Sequence, residues 1–200
     1  DGRISPLDFV QFTGDDLEQD LRNRDFSINA MAVSIHDLDS LIDPLGGRED
    51  LAAGLIRPCS AHALLDDPVR VLRGVRLSMQ FNFRYAENLP EMMREASTHL
   101  PKTSYERQRD EFFKILEGPR PADAMRDCQR FNVFATLIHC LQDQLLIPAS
   151  PPHELPLFDH TLEVVRQYAF MLDNLTSARL KNEDAPWWLE KLITDLGVFA

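Results

Sequence analysis

The chain has 200 residues, of which 44% are hydrophobic and 26% are charged, so it is long enough for a sizeable core and has the composition of an ordinary globular protein. Its formal net charge of −11 argues against a broad phosphate-binding surface, because non-specific nucleic-acid binding depends on neutralising phosphates. Arginine nevertheless clusters at residues 70–76 and 107–109, and a local anion-binding strip is compatible with an acidic protein.

Neither a membrane-spanning segment nor a signal peptide is predicted. No apolar run approaches the ~20 residues that cross a bilayer. The chain starts at Asp1 without an initiator Met or a secretory pattern, and we expect it to begin inside a longer polypeptide. The three cysteines are too far apart for a zinc site or a disulfide framework, which favours reduced thiols in the cytoplasm: Cys59, Cys128 and Cys140.

The strands are predicted in the first third of the chain. Loose alternation of apolar residues predicts a strand at residues 4–12, and leucine spacing predicts a short helix at 15–21. We interpret residues 28–43 as two strands joined by a polar loop at 36–40. Proline and paired glycines then mark a turn at 43–47.

The hydrophobic pattern becomes helical from Ala61 onward. A polar loop is expected at residues 176–186, and four prolines between residues 148 and 156 mark the best candidate for a domain boundary. The predicted helices lie at residues 61–79, from residue 90, and at 105–116, 122–131, 133–146, 157–175 and 187–198.

Residues 66–76, with the sequence DDPVRVLRGVR, carry the most informative pattern in the chain. Residues three apart are neighbours on a helix, so Asp67 can face the same way as Arg70, and Arg70 the same way as Arg73. A carboxylate acceptor beside forked guanidinium donors suits the recognition of a base edge and of phosphate. The alternative is purely structural, with Asp67 as an N-cap, Pro68 as the first helical residue and solvated arginines.

Five segments resemble motifs of the class II tRNA nucleotidyltransferases and bacterial poly(A) polymerases. They are RDFSINAMA at 24–32, DPLGGREDL at 43–51, DDPVR at 66–70, RGVR with two later phenylalanines at 73–83, and SYERQRDE at 104–111. They resemble the family patterns RRDFTINAMA, DPxGGxxDL, EDPxR, RAxRFxxxxxF and SxERxxxE. Each motif alone is weak, but the five occur in family order over a little more than half of the chain.

The resemblance implies an enzyme that adds nucleotides to RNA 3′ ends from nucleoside triphosphates, with magnesium as cofactor of the full-length enzyme. Arg24 and Asp25 match a motif that contacts the ribose and triphosphate. Asp67 and Arg70 match the pair that hydrogen-bonds the incoming base, and Arg73 matches a residue close to the same nucleotide. The nucleotide-binding residues expected from this comparison are Arg24, Asp25, Asp67, Arg70, Arg73 and Arg76.

Two departures from the family pattern affect what this chain can do. Asn23 stands where the family usually has an arginine, which weakens or removes one triphosphate contact. The family's glycine-rich loop and its paired metal-binding aspartates would lie upstream, and no such motif occurs in these residues. Asp8 is at most a candidate accessory carboxylate, so we assign no catalytic residue and no metal ligand. We expect a fragment that binds nucleotide poorly and does not catalyse transfer.

The C-terminal part contains a second resemblance. His153 and residues 159–162 (DHTL) resemble the entry to an HD-type phosphohydrolase domain, but the later His-Asp dyad of that motif is absent before Ala200. A histidine before a helix is more often structural, and no metal is assigned here.

These features predict an α+β, predominantly α-helical fold. The expected domains are the C-terminal part of a nucleotidyltransferase head at 1–60, a nucleotide-selecting helical neck and body at 61–147, and a helical extension at 148–200. The predicted function is addition of C or A to tRNA 3′ ends, with CTP or ATP and a tRNA or other RNA 3′ end as partners and no membrane. The alternatives are a poly(A) polymerase of the same family and a non-catalytic nucleotide- or RNA-binding remnant. The oligomeric state stays open.

Overall fold

A small β-rich region precedes the helices in the computed structural model, which describes residues 10–12 and 14–181. Helix α1 (Leu17–Arg22) is preceded by the N-cap residue Asp16, whose carboxylate accepts a hydrogen bond from the Gln19 backbone N–H. Strands β1 (Ala32–Ser34) and β2 (Asp37–Ile42) form an antiparallel hairpin with Ala32 opposite Ile42. The two predicted strands are therefore confirmed, but the predicted loop at 36–40 is mostly part of β2.

A 3₁₀ turn, Ser27–Asn29, occupies the start of the segment that the sequence predicted as a strand. The Asp25 carboxylate explains the turn, because its Oδ1 accepts hydrogen bonds from the Phe26 backbone N–H and from Asn29 Nδ2. Local side-chain acceptors of this kind compete with strand pairing for the backbone.

Helix α2 (Gly47–Ala53) packs against that 3₁₀ turn and leads into β3 (Leu55–Ile56). Strand β3 pairs in parallel with β4 (Arg84–Tyr85), with Leu55 opposite Arg84 and Ile56 opposite Tyr85. This pairing joins the β-rich region to the helical part.

The predicted helix at 61–79 is two helices, α3 (Ala63–Asp66) and α4 (Arg70–Phe81). Asp67 is extended between them, with φ −143° and ψ 90°. Pro68 is the physical reason, because the residue before proline is disfavoured in the helical region.

The remaining helices follow the predicted order with two differences. The segment predicted as one helix at 133–146 is divided into α8, α9 and a 3₁₀ turn, and the last helix continues through residues 176–181, where a loop was predicted. The helices are α5 (Leu89–Ser97), α6 (Tyr105–Leu116), α7 (Pro121–Arg130), α8 (Val133–Leu137), α9 (His139–Asp143) and α10 (Leu157–Lys181).

One apolar core holds these elements together. Its largest fully buried side chains include Phe26 from the β-rich region, Met93 from α5 and Phe134 from α8. Phe158 and Leu162, on the first turns of α10, belong to the same core, and α10 packs against α7. The predominantly helical α+β fold is thus confirmed, while the domain limits after residues 60 and 147 stay a prediction.

Some predicted features lie outside the described residues. These are Asp8, most of the strand predicted at 4–12, and the helix predicted at 187–198; residues 10–12, which are described, are not in a strand. Among the helices that the structure describes, none is long and apolar enough to cross a membrane.

Candidate functional site

Helix α4 carries three arginines, two of which contact residues 23–25 of the β-rich region. Its opposite face is apolar, and Leu72 and Val75 are fully buried there. Arg70, Arg73 and Arg76 follow at intervals of three residues, as the sequence predicted. The helix begins at Arg70 with Val69 as its N-cap residue and no side-chain cap. The alternative in which Asp67 serves as the N-cap is therefore wrong.

The arginines of α4 line a polar cleft of about 430 Å³. Four arginines and one lysine face two carboxylates across it, so the cleft carries a net positive charge on an acidic protein. Its lining residues are Arg24, Asp25, Asn29, Arg70, Arg73, Arg76, Glu111 and Lys114.

Asp25 is the first of the two carboxylates and is 5% exposed. Its Oδ2 accepts a hydrogen bond from Arg73 Nη1 at 2.9 Å, while its Oδ1 holds the 3₁₀ turn described above. Burial alone would lower the pKa of Arg73, but this hydrogen bond raises it above its ordinary value. The pair therefore places a permanent cation at a fixed position in the cleft.

Glu111, on α6, is the second carboxylate and is also buried. It accepts hydrogen bonds from Arg76 Nε at 2.9 Å and from Lys114 Nζ at 3.1 Å, and Arg73 Nη2 lies 3.8 Å away. Burial alone would raise the pKa of Glu111, but the surrounding cations, with Arg76 first among them, hold it below its usual value. The sequence motif at 104–111 contains Glu111 but predicts no role for it, and Lys114, one helical turn later, was not predicted as a site residue.

Arg24 lies at the rim of the cleft with about half of its side chain exposed. Its Nη2 donates to Asp20 Oδ2 at 3.1 Å, and its Nη1 donates to the carbonyl oxygen of Asn29 at 3.3 Å. This half-exposed guanidinium is accessible to an anion that enters from solvent.

Arg70 is held much more tightly than its neighbours on α4. Its Nη1 donates to the carbonyl oxygens of Arg24 and Ala63, and its Nη2 donates to the carbonyl oxygen of Asn23. The Arg70 Nε atom is buried and, within the described part of the chain, has no hydrogen-bond partner. Arg70 thus links α4 to the preceding part of the chain through these hydrogen bonds, and its buried Nε–H remains an unpaired donor within the described residues.

Asp67 does not line the basic cleft but lies beside it. Its Oδ2 accepts a hydrogen bond from Arg107 Nη2 at 2.6 Å and lies 3.8 Å from Arg70 Nε. Together with Arg107 and Ser104, Asp67 lines a neighbouring cavity of about 610 Å³. The sequence predicted Arg107 only as part of an arginine cluster and not as a partner of Asp67, because the two residues are 40 positions apart.

The residues described by the structure do not form a metal site. No group of three or more His, Cys, Asp or Glu side chains in residues 10–12 and 14–181 could hold a metal ion. Asp8 lies outside these residues. Near the predicted HD-like entry, Asp159 is ion-paired with Arg126 at 2.9 Å, and the rings of His153 and His160 lie 4.9 Å apart. The described side chains therefore do not fit magnesium.

Family comparison covers both the β-rich and the helical parts of the chain. Residues 5–57 match the family model described as "Poly A polymerase head domain". Residues 82–145 match the model described as "Probable RNA and SrmB- binding site of polymerase A". The two matches leave α4 and its arginines between them.

Three known proteins illustrate the similarity. The CC-adding tRNA nucleotidyltransferase of Geobacter sulfurreducens is 39% identical over 118 residues, which are 59% of this chain and 27% of that protein. The A-adding tRNA nucleotidyltransferase of Halalkalibacterium halodurans is 37% identical over 128 residues, covering 61% of this chain and 30% of that protein. The structure of the Thermotoga maritima CCA-adding enzyme complexed with tRNA matches with a TM-score of 0.59 and 28% identity, covering 84% of this chain and 38% of that one.

The present chain spans less than a third of the length of the two sequence relatives. Sequence and fold nevertheless agree over both regions. The chain therefore belongs to the family of class II tRNA nucleotidyltransferases and bacterial poly(A) polymerases.

Proposed function

We propose that this chain forms the nucleotide-selecting part of an enzyme that adds C or A to the 3′ end of tRNA from CTP or ATP. The observation that carries the proposal is the basic cleft, in which five cations surround two buried carboxylates beside the Asp67–Arg70 pair. The relatives named above act as CC-adding and A-adding tRNA nucleotidyltransferases, which supports tRNA over the poly(A) alternative. The three free cysteines are consistent with a cytoplasmic enzyme.

The cleft suits the triphosphate and ribose of an incoming nucleotide. Guanidinium groups bind phosphate oxygens with paired, charge-assisted hydrogen bonds, and Arg24, Arg73 and Arg76 present three of them around one space. Asp25 fixes the direction of Arg73 and keeps acceptor capacity for a ribose hydroxyl. In this proposal Arg24 and Asp25 contact the ribose and triphosphate.

The Asp67–Arg70 pair suits the base. Cytosine and adenine each present an exocyclic amino donor beside a ring-nitrogen acceptor, whereas uracil presents an acceptor beside a donor. Among the described residues, Asp67 Oδ1 has no hydrogen-bond partner and Arg70 Nε–H donates to nothing. An acceptor on Asp67 and a donor on Arg70 therefore complement cytosine and adenine and reject uracil.

Magnesium is proposed as the cofactor of the complete gene product, where it would neutralise charge on the triphosphate. The described residues contribute phosphate-binding cations but no carboxylate cluster for the ion. Their proposed role is to bind and orient the nucleotide.

The activity is tested with the complete gene product, tRNA that lacks its 3′-terminal CCA, and tRNA that ends in CC. Each RNA is incubated separately with labelled CTP, ATP or UTP, and the products are sized at single-nucleotide resolution. We expect one to three added residues of C, A or both, and no addition of U. Long adenosine tails on unrelated RNA would favour the poly(A) alternative, and no incorporation at all would support the non-catalytic remnant.

Substitution of Asp67 should alter nucleotide choice. We expect Asp67→Ala to lower the preference for the correct nucleotide over UTP by about tenfold to a hundredfold, because one good base contact contributes about 1–3 kcal/mol of discrimination. Arg70→Ala should have a similar effect. It should also lower stability, because Arg70 donates hydrogen bonds to three carbonyl oxygens.

Arg24→Ala should instead raise KM for every triphosphate alike.

The matched control for Asp67 is Asp66→Ala, since Asp66 is the exposed neighbour outside the base-reading pair. Steady-state kcat/KM values for CTP, ATP and UTP give the comparison. Wild-type selectivity in Asp67→Ala would contradict the base-reading role, and an Arg24→Ala effect confined to one nucleotide would place Arg24 near the base.

A further inference from the structure

Asp67 lies between two arginines that differ in their freedom to move. Arg107 Nη2 lies 2.6 Å from Asp67 Oδ2, and Arg70 Nε lies 3.8 Å from the same oxygen. The first distance is a short charge-assisted hydrogen bond, and the second is too long for one. The carboxylate is therefore bonded to Arg107 and not to Arg70.

Arg70 is not free to approach Asp67. Three backbone carbonyl oxygens, from Asn23, Arg24 and Ala63, hold its guanidinium, and 17% of its side chain is exposed. Arg107 is on the first turn of α6, and about half of its side chain is exposed. The position of the Asp67 carboxylate thus depends on Arg107, while Arg70 is a fixed reference.

The Arg70 Nε atom has no hydrogen-bond partner in this arrangement of the described residues. It is a buried donor without an acceptor among the described residues, and such a group costs free energy until an acceptor reaches it. Asp67 Oδ2 forms an ion pair with Arg70 Nε at 3.8 Å, which is too long for a hydrogen bond. The same oxygen is hydrogen-bonded to Arg107 instead. The Asp67 acceptor and the Arg70 donor are therefore not hydrogen-bonded to each other.

We propose that Arg107 is a positioning residue for nucleotide choice, which acts by holding the Asp67 carboxylate away from Arg70, so that the acceptor and the donor stay available side by side for one base edge. This inference rests on the proposed function. Without Arg107, Asp67 is free to close onto Arg70 Nε, and the acceptor and donor needed for cytosine or adenine then neutralise each other.

The test measures nucleotide selectivity in the complete gene product with Arg107→Ala, Arg107→Lys and, as the matched control, Arg109→Ala. Arg109 is also exposed on α6, but it pairs with its neighbour Asp110 and not with Asp67. We expect Arg107→Ala to lower the ratio of kcat/KM for the correct nucleotide over UTP by about tenfold, with KM for tRNA unchanged. Arg107→Lys should restore part of the selectivity because it keeps a cation at that position, and Arg109→Ala should match the wild type.

A double-mutant cycle decides whether Arg107 acts through Asp67. In the Asp67→Ala background, Arg107→Ala should cause no further loss of selectivity. Wild-type selectivity in Arg107→Ala, additive losses in the double variant, or a change confined to KM for tRNA would each overturn the inference while leaving the proposed function intact. A wild-type protein that adds no nucleotide would overturn the proposed function, and the inference with it.

Discussion

Glu111 shows how single residues make the basic cleft stable. A buried carboxylate costs free energy unless it is paired, and Glu111 is paired with Arg76 and Lys114 while also lying near Arg73. The same contacts hold three cations together that would otherwise repel one another. The same cations hold the pKa of Glu111 below its usual value. The sequence contains no local signal for the contact with Arg76, because Arg76 and Glu111 are 35 positions apart.

Glu111→Gln should therefore lower stability in a pH-dependent manner. Because the folded-state pKa lies below the ordinary 4.5, the ionised carboxylate stabilises the fold above that pH and loses this effect as the pH falls through the folded-state value. We expect a loss of about 1–3 kcal/mol at pH 7 in urea unfolding, which shrinks as the pH falls below the ordinary pKa of a glutamate and through the lower folded-state value. Asp110→Asn, at the exposed neighbouring position, is the control. A difference from the wild type that stayed constant with pH would contradict this account.

At the scale of elements, the turn before α2 shows why the paired glycines are needed. Gly46 has φ +72°, a left-handed conformation that side chains rarely adopt. Asp43 then accepts hydrogen bonds from the backbone N–H groups of Gly47 and Arg48 at the start of the helix. Partial burial would raise the pKa of Asp43, but these hydrogen bonds lower it below its usual value. The carboxylate thus fixes the start of α2.

Gly47→Ala should destabilise the protein through a direct clash. A Cβ atom at this position would lie 2.1 Å from the carbonyl oxygen of Ser27, which the backbone of the 3₁₀ turn cannot easily move. Overpacking costs about 1–3 kcal/mol and occasionally more, and we expect the upper end here. Arg48→Ala, at the exposed next position, serves as the control in thermal or urea unfolding. Equal stability of the two variants would show that α2 is not docked as described.

At the scale of the whole molecule, the apolar core extends across the proline-rich segment at 148–156. Phe158 and Leu162 on α10 are buried in the same core as residues of α4, α5 and α7. Arg126 of α7 also pairs with Asp159 of α10 at the surface. The described part of α10 is thus packed as part of the helical body.

Leu162→Ala should destabilise the entire helical body. A buried leucine truncated to alanine costs about 2–5 kcal/mol, because apolar contact is lost and a cavity is left. Val164→Ala is the matched control, since Val164 lies two residues later on α10 and is 53% exposed, and we expect a change within about 0.5 kcal/mol. Two separate transitions in urea, with only one affected by Leu162→Ala, would show that α10 unfolds independently.

Local signals allowed several features to be predicted from the sequence. Helix α6 has the predicted bounds because Ser104 caps its start and Gly118 with Pro119 ends it. The arginines of α4 were expected on one face because a spacing of three residues fixes that geometry in any helix. The motif order pointed to the family in the same way, because it depends only on residue types and spacing.

The tertiary structure alone decided which charged groups meet. Arg73 pairs with Asp25 across 48 positions, and Arg70 donates to backbone carbonyl oxygens 46 and 47 positions away. The sequence determined that Asp67 and Arg70 are neighbours on the chain, but not that Arg107 takes the carboxylate from Arg70. Helical periodicity reaches only the next turn, whereas these contacts depend on how the helices pack, and packing depends on the whole apolar core.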